Sequence, residues 1–411
     1  MTGKLRKSGV LTRIGICILH ALWMLLITWY WLNLPVIYFD EEHLIRWSSA
    51  TRKILFNNNE RPPKEDFIFI NLAHEKELIP YSEGMGEEVI TNRERLAKFF
   101  HILNQYPDQY KFVICDVFFK GSSPFDSLLS AEIAKTKNVL APCHIEEGIL
   151  LRPEIPVPNA LSDYEDVNGM FLKYRFMEDT LKSLPVVMYE KLHGARVERK
   201  HGLTYVNDRL SLSSMIIDFS IRTSDLDTSG YKVVPLSELL LLQDDSLIFH
   251  EFLKGKYIVA GNFEEDVHQT ILGDMPGTVI LLNIYLALVK KKNLVSWYWV
   301  LFLFLNYIFI SWVMFYSFSM QKPRWFTRFI EGTFGQFLGD SLSFFVYLGL
   351  ISLISYFIFN IHINILIIGL YVNLVPLLIR KIKQAPDLIR SFKDRRRKGT
   401  SLVAGNKTKT L

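Results

Sequence analysis

The sequence predicts an α/β domain of about 250 residues joined to four transmembrane α-helices. Four apolar runs have about the 20 residues that a helix needs to cross a bilayer. The polar block between the first two runs alternates strand-like with helix-like segments, which is typical of a sheet covered by helices. The predicted order is a basic leader at 1–13, a first span at 14–34, the α/β domain at 40–293, a second span at 294–316, a loop at 317–341, a third span at 342–360, a fourth at 361–380 and a basic tail at 381–411.

The apolar runs are predicted to be spans because of their lengths and flanks. Ile14–Leu34 follows a short basic leader and precedes no small-residue cleavage site, so it is predicted to be an uncleaved anchor. Leu342–Ile379 is apolar for roughly 38 residues, nearly twice the bilayer core as one helix, and must therefore hold two spans. Three polar residues lie at its midpoint: Asn360, His362 and Asn364. These polar residues are predicted to expose the turn between the two spans to water. Pro276–Val289 is too short to span and is predicted to be a buried helix.

Charge orients the predicted spans. The segment from Asp40 to Lys292 holds 38 acidic and 29 basic residues, whereas the whole chain has a net charge of +5. Strongly basic segments face the cytoplasm. Four crossings place the leader, the 317–341 loop and the tail on that side and the acidic domain outside. We therefore expect a multi-pass membrane protein with both termini in the cytoplasm.

The strands and helices of the domain follow from apolar runs and caps. Strands are predicted at Phe67–Asn71, Phe112–Cys115, Val139–Ala141 and Tyr257–Ala260, and in the middle at Phe171–Phe176, Leu203–Val206 and Met215–Phe219. Turn residues in the middle permit antiparallel insertions. Thr91–Glu94 has the capping-box spacing, with Thr91 as cap. In Ser123–Asp126, Ser123 is predicted to cap a helix, Pro124 to occupy its first position and Asp126 to reach back.

Two groups of residues are candidates for binding. Ligands of open α/β sheets bind beyond the carboxyl ends of the strands, where the sequence places Asn71, Asp116, His144 and Asn262. The second group is Asp266, His268 and Thr270. A carboxylate and an imidazole two residues apart can lie on one face of an extended loop and hold an ion or a pH-dependent partner.

Structural roles for these residues stay open. Asp116 can instead accept hydrogen bonds from loop amides. His268 can bond to the backbone, with Asp266 or Asp274 near the start of the following helix. Asn283, on an otherwise apolar helix, is predicted to bond to a neighbouring loop.

The sequence holds no motif for hydrolysis or group transfer and no Cys/His spacing typical of a zinc site. We therefore expect no enzyme activity, no metal and no cofactor. Cys115 and Cys143 each end a predicted strand; two buried thiols are favoured, and a disulfide stays open.

The spans and the tail suggest other contacts. The deep polar residues are His20, Asn306 and Asn373, which favour contacts between helices or between protomers of a homo-oligomer. Small residues at helical spacing on the third span are Gly349, Ser352 and Ser355. In the tail, Arg395, Arg396, Arg397 and Lys398 favour anionic lipid headgroups or a partner protein. No aromatic residues lie among these arginines, so nucleic acid is not expected.

Several strings, in this order, resemble an extracytoplasmic sensory domain named for cyclases and histidine kinases, the type-two CHASE domain. They are Phe112–Phe119, Asp126 with Leu129 and Ala131, Leu253–Gly261, Asp266–Thr270, Gly273–Gly277 and Asn283. Receptors of this family also place one helix before the domain and three after it. The resemblance implies a bacterial inner-membrane sensor. About 30 residues follow Ile379, too few for the family's usual catalytic output domain, so we expect the signal to pass to a separate protein. A scaffold or assembly subunit of a larger membrane complex is the alternative.

Overall fold

A computed structural model describes residues 2–34, 42–48, 51, 61–80, 86–163, 166–167, 169–217, 219–226, 230–241, 246–316, 333–375 and 378. The chain divides into two units. Met1–Leu32, Trp297–Ser355 and Ile363–Leu411 form the helical unit, and Asn33–Ser296 with Tyr356–His362 form the α/β unit. The prediction of a mixed α/β fold with long apolar helices is confirmed at this level.

The strands are β1 Phe67–Asn71, β2 Lys76–Pro80, β3 Glu87–Thr91, β4 Tyr110–Asp116, β5 Val139–Glu146, β6 Ile149–Leu151, β7 Asn159–Leu161, β8 Asp166–Val167, β9 Met170–Phe171, β10 Lys173–Arg175, β11 Met177–Glu178, β12 Leu181–Lys182, β13 Val197–Lys200, β14 Leu203–Val206, β15 Arg209–Ser211, β16 Ser214–Ile216, β17 Val233–Pro235, β18 Lys256–Gly261, β19 Val267–Thr270 and β20 Gly273–Pro276. The α-helices are α1 Thr2–Leu32, α2 Arg93–Gln105, α3 Asp126–Lys135, α4 Leu184–His193, α5 Leu236–Leu241, α6 Ser246–Leu253, α7 Gly277–Val289, α8 Trp297–Tyr316, α9 Thr333–Phe359 and α10 Ile365–Val375. Short 3₁₀ turns cover Lys64–Asp66 and Thr223–Asp225.

The central sheet of the α/β unit has the strand order β17-β1-β18-β4-β5, and β6 and β7 both pair with β5. All of these pairings are parallel except β5 with β6. The strands that were predicted in the first half and at Tyr257–Ala260 lie in this sheet. In the middle of the domain, β10 pairs with β16 and β13, β14 and β15 form a meander, all antiparallel as the turn residues suggested.

Helices cover both faces of the sheet, as the uninterrupted apolar strands require. Side chains alternate: Phe67, Phe69 and Phe112 enter one core, and Ile68 and Val113 enter the other. The first core includes most of α7, whose side chains are almost all buried. The predicted buried helix at Pro276–Val289 is therefore confirmed, because α7 belongs to the domain and does not form a span.

Both predicted helices are present, but the capping residue of the first and the starting residue of the second differ from the prediction. Asn92, not Thr91, caps α2, because its Oδ1 accepts a hydrogen bond from the amide of Arg95 at 2.9 Å. Helix α3 begins at Asp126 instead of Pro124. Asp126 does reach back, accepting the amide of Ser123 at 2.8 Å. An Asn next to a Thr offers a second cap, and the capping-box pattern does not distinguish the two.

Three described helices are long and apolar enough to cross a membrane: Val10–Leu32 within α1, Trp297–Phe315 within α8 and Leu342–Phe359 within α9. The described part of helix α10 runs from Ile365 to Val375, which is shorter than the roughly 20 residues that a span needs. The four-span count therefore stays a prediction. The chain at 361–364 is not helical, so the last apolar helix begins four residues after the predicted boundary.

Polar side chains join the apolar helices inside the helical unit. His20 of α1 lies 2.7 Å from the Ser311 hydroxyl of α8. Tyr347 of α9 donates to Asn306 of α8 at 2.8 Å. These contacts confirm the interhelical role predicted for His20 and Asn306. Asn373 instead donates to the carbonyl of its own helix, four residues back.

The polar cluster between the last two apolar helices does not meet water. Asn360, His362 and Asn364 are all buried. In the α/β unit, His362 Nε2 lies 2.8 Å from the Ser48 hydroxyl and its ring stacks on Tyr356 at 4.4 Å. The predicted exposure of this cluster to water was wrong, because a local pattern shows where polar groups lie but not that a distant residue, here Ser48, bonds to His362.

Candidate functional site

The carboxyl ends of the central strands form one row at an edge of the sheet. Asn71 of β1 lies opposite Gly261 of β18, and Gly261 lies opposite Asp116 of β4. Asn262 follows at once, and His144 lies on β5, the neighbour of β4. The structure thus brings the predicted edge residues to one end of the sheet, where ligands of open α/β folds bind.

The loop after β18 and the β19–β20 hairpin add Asp266 and His268 to this edge. His268 Nε2 lies 2.9 Å from Asp266 Oδ1. The Asp266 carbonyl accepts the amide of Gly277 at 2.9 Å, which fixes the residue at the start of α7. A Cβ on Gly277 would lie 2.7 Å from Asp266 Oδ2, so the glycine leaves room for the carboxylate. The carboxylate therefore lies where a helix N-terminus favours negative charge.

Asp116 is the most perturbed carboxylate of the site. Thr278 Oγ1, in the first turn of α7, donates to Asp116 Oδ2 at 2.9 Å. Burial, and then the negative charge of Asp266, raise the pKa of Asp116 to about 7; the Thr278 hydrogen bond and the two histidines oppose this rise. Near neutral pH this carboxyl group is therefore poised between its protonated and charged forms.

His144 has its own acidic partner, Asp163, which sequence reasoning missed. The two side chains meet at 2.7 Å between Nδ1 and Oδ1, and the amide of Ile145 donates to the other Asp163 oxygen. Burial is the largest influence and acts to lower the pKa of His144, but the hydrogen bond and charge of Asp163 and the charge of Asp116 outweigh it and raise that pKa. Asp163 therefore stabilises the protonated imidazole of His144 relative to that of a free histidine.

Two of the residues predicted as ligand-binding candidates make hydrogen bonds to the backbone. Thr270 is buried, donates to the carbonyl of Gly273 at 2.7 Å and accepts the amide of Leu272 at 3.1 Å, so it closes the β19–β20 turn. Asn262 Oδ1 accepts the amides of Glu264 and Glu265. Both residues therefore stabilise the turns next to the site. The predicted tail contacts fall outside the described residues, namely Arg395, Arg396, Arg397 and Lys398.

Asn283 and the two domain cysteines have structural surroundings. Asn283 is fully buried, accepts the amide of Ile221 and donates to its carbonyl, so the predicted bond to a neighbouring loop is confirmed. Cys115 and Cys143 are buried and unbonded, and burial raises the pKa of the Cys115 thiol to about 12. Within the described ranges, no three His, Cys, Asp or Glu side chains are grouped so as to hold a metal ion.

The geometry at this edge is three carboxylates and two imidazoles around the end of a parallel sheet. We call this group the carboxyl-edge cluster: Asp116, His144, Asp163, Asp266 and His268. No protein-family model, curated protein or solved structure matches the chain. The resemblance to type-two CHASE domains therefore stays a prediction from the strings quoted above.

Proposed function

We propose that this chain is a membrane-anchored sensor whose α/β unit lies outside a bacterial cytoplasmic membrane and which signals through a separate partner protein. The observation that supports this most directly is the carboxyl-edge cluster. Asp116 has a strongly raised pKa at the end of a strand. Such carboxyl groups are typical of binding sites, because burying a carboxylate costs free energy that a structural role does not require. In this proposal the domain binds and does not catalyse.

The proposed placement in the membrane uses four crossings. The three long apolar helices support the anchoring, and α10 supplies part of the fourth crossing. The acidic segment from Asp40 to Lys292 then faces outside, and the basic leader, loop and tail face the cytoplasm. The arginines near the C-terminus contact anionic headgroups, and the partner protein contacts the 317–341 loop or the tail.

The ligand of the cluster is proposed to supply positive charge or hydrogen-bond donors. Three carboxylates outnumber the two histidines, and the pKa of Asp116 is raised partly because a second carboxylate faces it. A cation between Asp116 and Asp266 would remove that repulsion. Its binding free energy would then stabilise the folded domain by mass action.

A thermal-shift screen tests this ligand chemistry. The full chain in mild detergent is unfolded with and without a panel of small primary and quaternary amines. A binding amine should raise the melting temperature of the wild type, and Asp116→Asn should weaken its binding roughly tenfold because the charge is lost. The matched control is Asp274→Asn, because Asp274 is an exposed residue on the β19–β20 hairpin. Equal shifts in all three proteins would refute a site at the cluster.

A scaffold role is the second candidate, favoured by an exposed apolar pair. Leu78 of β2 and Val89 of β3 lie directly opposite each other, and they are 63% and 55% exposed. Apolar neighbours on an exposed hairpin favour contact with another protein. Such a contact requires no ligand.

Purification with natural partners separates the two functions. Mild-detergent extracts are fractionated with the wild type and with Leu78→Ser. Recovery only as an assembly of fixed stoichiometry, which Leu78→Ser disrupts and no amine alters, would exclude the sensor. Recovery as a homo-oligomer that an amine stabilises against heat would exclude the scaffold.

A further inference from the structure

The α/β unit holds a cavity that is lined largely by polar and charged residues, none of which belongs to the carboxyl-edge cluster. Its volume is about 130 Å³. Residues that line it include Asn33, Arg175, Glu178, Asp179, Arg199 and Ser213. An engineered cavity of about 150 Å³ takes up benzene, so this one suits a group of roughly the same number of non-hydrogen atoms.

Charges of both signs line this cavity. Arg175 at the end of β10 forms an ion pair with Glu178 of β11. Arg199, on β13, and Asp179, in the turn after β11, make no ion pair with any other residue that the structure describes. A guanidinium and a carboxylate are therefore both available to a ligand at one cavity, and together they match a group that carries an anion and a cation.

The wall of the cavity is tied to the residue that follows the first apolar helix. Asn33 comes directly after Leu32, the last residue of α1. The amide of Ser213 donates to Asn33 Oδ1, and the Ser213 hydroxyl donates to the Asn33 carbonyl, both at 3.2 Å. If the apolar helix Val10–Leu32 spans a bilayer, Asn33 lies at the end of that span, next to the lipid headgroups.

The same wall is also tied to the residues before the second apolar helix. The amide of Leu212 donates to the Asn293 carbonyl at 3.1 Å. The amide of Val295 donates to the carbonyl of Leu210 at 3.0 Å. The segment Leu210–Ser213 thus bonds to the chain that leaves α1 and to the chain that enters α8, and a ligand in the cavity contacts this segment through Ser213.

We propose that the cavity binds a zwitterionic phosphoethanolamine group, with its phosphate at Arg199 and its ammonium at Asp179. Arginine is the side chain best suited to phosphate, and a carboxylate is the matching acceptor for an ammonium. The position of Asn33 favours a lipid headgroup as the source, and free phosphoethanolamine offers the same chemistry. This inference does not depend on the proposed sensing function or on the carboxyl-edge cluster.

Native mass spectrometry of the full chain in mild detergent tests the proposal. The delipidated protein is titrated with short-chain phosphatidylethanolamine, with phosphatidylglycerol and with free phosphoethanolamine. Phosphatidylethanolamine should bind at least about tenfold more tightly than phosphatidylglycerol, because only the former supplies an ammonium. Binding of free phosphoethanolamine at similar affinity would assign the site to the soluble compound, and binding of the lipid alone would assign it to the membrane.

Two variants and two controls locate the binding. Arg199→Gln and Asp179→Asn should each weaken phosphatidylethanolamine binding by about tenfold or more. The matched controls are Arg196→Gln and Asp208→Asn, whose side chains are 77% and 89% exposed and which do not line the cavity. Melting temperatures like that of the wild type show that the variants fold. Equal retention of both lipids, or equal loss in variants and controls, would overturn the proposal.

Discussion

Asp116 should make the α/β unit less stable as the pH rises from about 4 to about 7. Burial and the nearby Asp266 carboxylate raise its pKa from 3.8 to about 7 in the folded protein. Between those values the folded protein keeps a proton that the unfolded chain has released. The folded state then binds more protons than the unfolded state, so the free energy of unfolding falls with increasing pH across this window.

The size of the effect follows from the change in pKa. One pKa unit corresponds to about 1.4 kcal/mol, so the whole window corresponds to at most about 4 kcal/mol. Asp116 keeps some surface exposure, and solvent screening reduces the figure to about 2 kcal/mol. For a domain of this size, 1 kcal/mol changes the melting temperature by about 2–4 °C. Asp116 should therefore lower the melting temperature by roughly 4–8 °C at high pH.

The assay compares melting temperatures near pH 5 and pH 8 for the full chain in mild detergent. Asp116→Asn keeps an acceptor for Thr278 and cannot ionise, so its melting temperature should fall much less with pH than that of the wild type. A smaller fall remains, because the raised pKa of His144 gives stability that is lost as the pH rises through that value. The control Asp274→Asn should behave like the wild type. A pH dependence in Asp116→Asn equal to that of the wild type would refute the reasoning.

Three further predictions concern side-chain packing in the α/β unit and are tested by measuring melting temperatures. Gly261→Ala places a Cβ 2.0 Å from Thr278 Oγ1, so the Thr278 hydroxyl must move away from the Asp116 carboxylate. The loss of this hydrogen bond should cost about 1–3 kcal/mol of stability. An unchanged melting temperature would contradict this. Asn283→Leu leaves the amide and carbonyl of Ile221 without their buried partner and should cost about 3 kcal/mol. Asn283→Asp should cost less, because its carboxyl oxygen can still accept the hydrogen bond from the Ile221 amide. Arg93→Met removes a guanidinium that is 1% exposed and lies 4.6 Å above an aromatic ring; we expect a loss of about 3 kcal/mol, and the exposed Arg196→Gln serves as its control.

Sequence reasoning located one edge of the site because topology leaves little choice. The carboxyl ends of adjacent parallel strands share an edge, so polar residues just after Phe67–Asn71, Phe112–Cys115 and Tyr257–Ala260 had to lie together. The register of Asn71, Gly261 and Asp116 agrees with this. The strand order itself needed the long-range pairings, which no local pattern contains.

Asp163 was missed because its strand is hard to recognise. Strand β7 has only three residues and directly follows Pro158, and prolines argue against a strand in the interior of a sheet. Yet β7 pairs with β5 in parallel, so Asp163 lies just past the carboxyl end of a strand, at the same edge of the sheet as Asp116, the last residue of β4. A search for acidic residues just past short strands would have found it.

Close approach explains the glycines at Gly261 and Gly277 better than backbone conformation does. Neither has a backbone φ in the left-handed region, yet a Cβ at either position would collide with a polar side chain of the site. Gly261 makes room for the Thr278 hydroxyl that bonds to Asp116, and Gly277 makes room for the carboxylate of Asp266. In the sequence Gly261 follows the predicted strand Tyr257–Ala260, and Gly277 lies at the start of the predicted helix Pro276–Val289. Neither position reveals the close approach, because the atom that excludes a side chain comes from another segment. These two glycines therefore belong to the carboxyl-edge cluster as much as its ionisable residues do, since without them the two carboxylates could not approach α7.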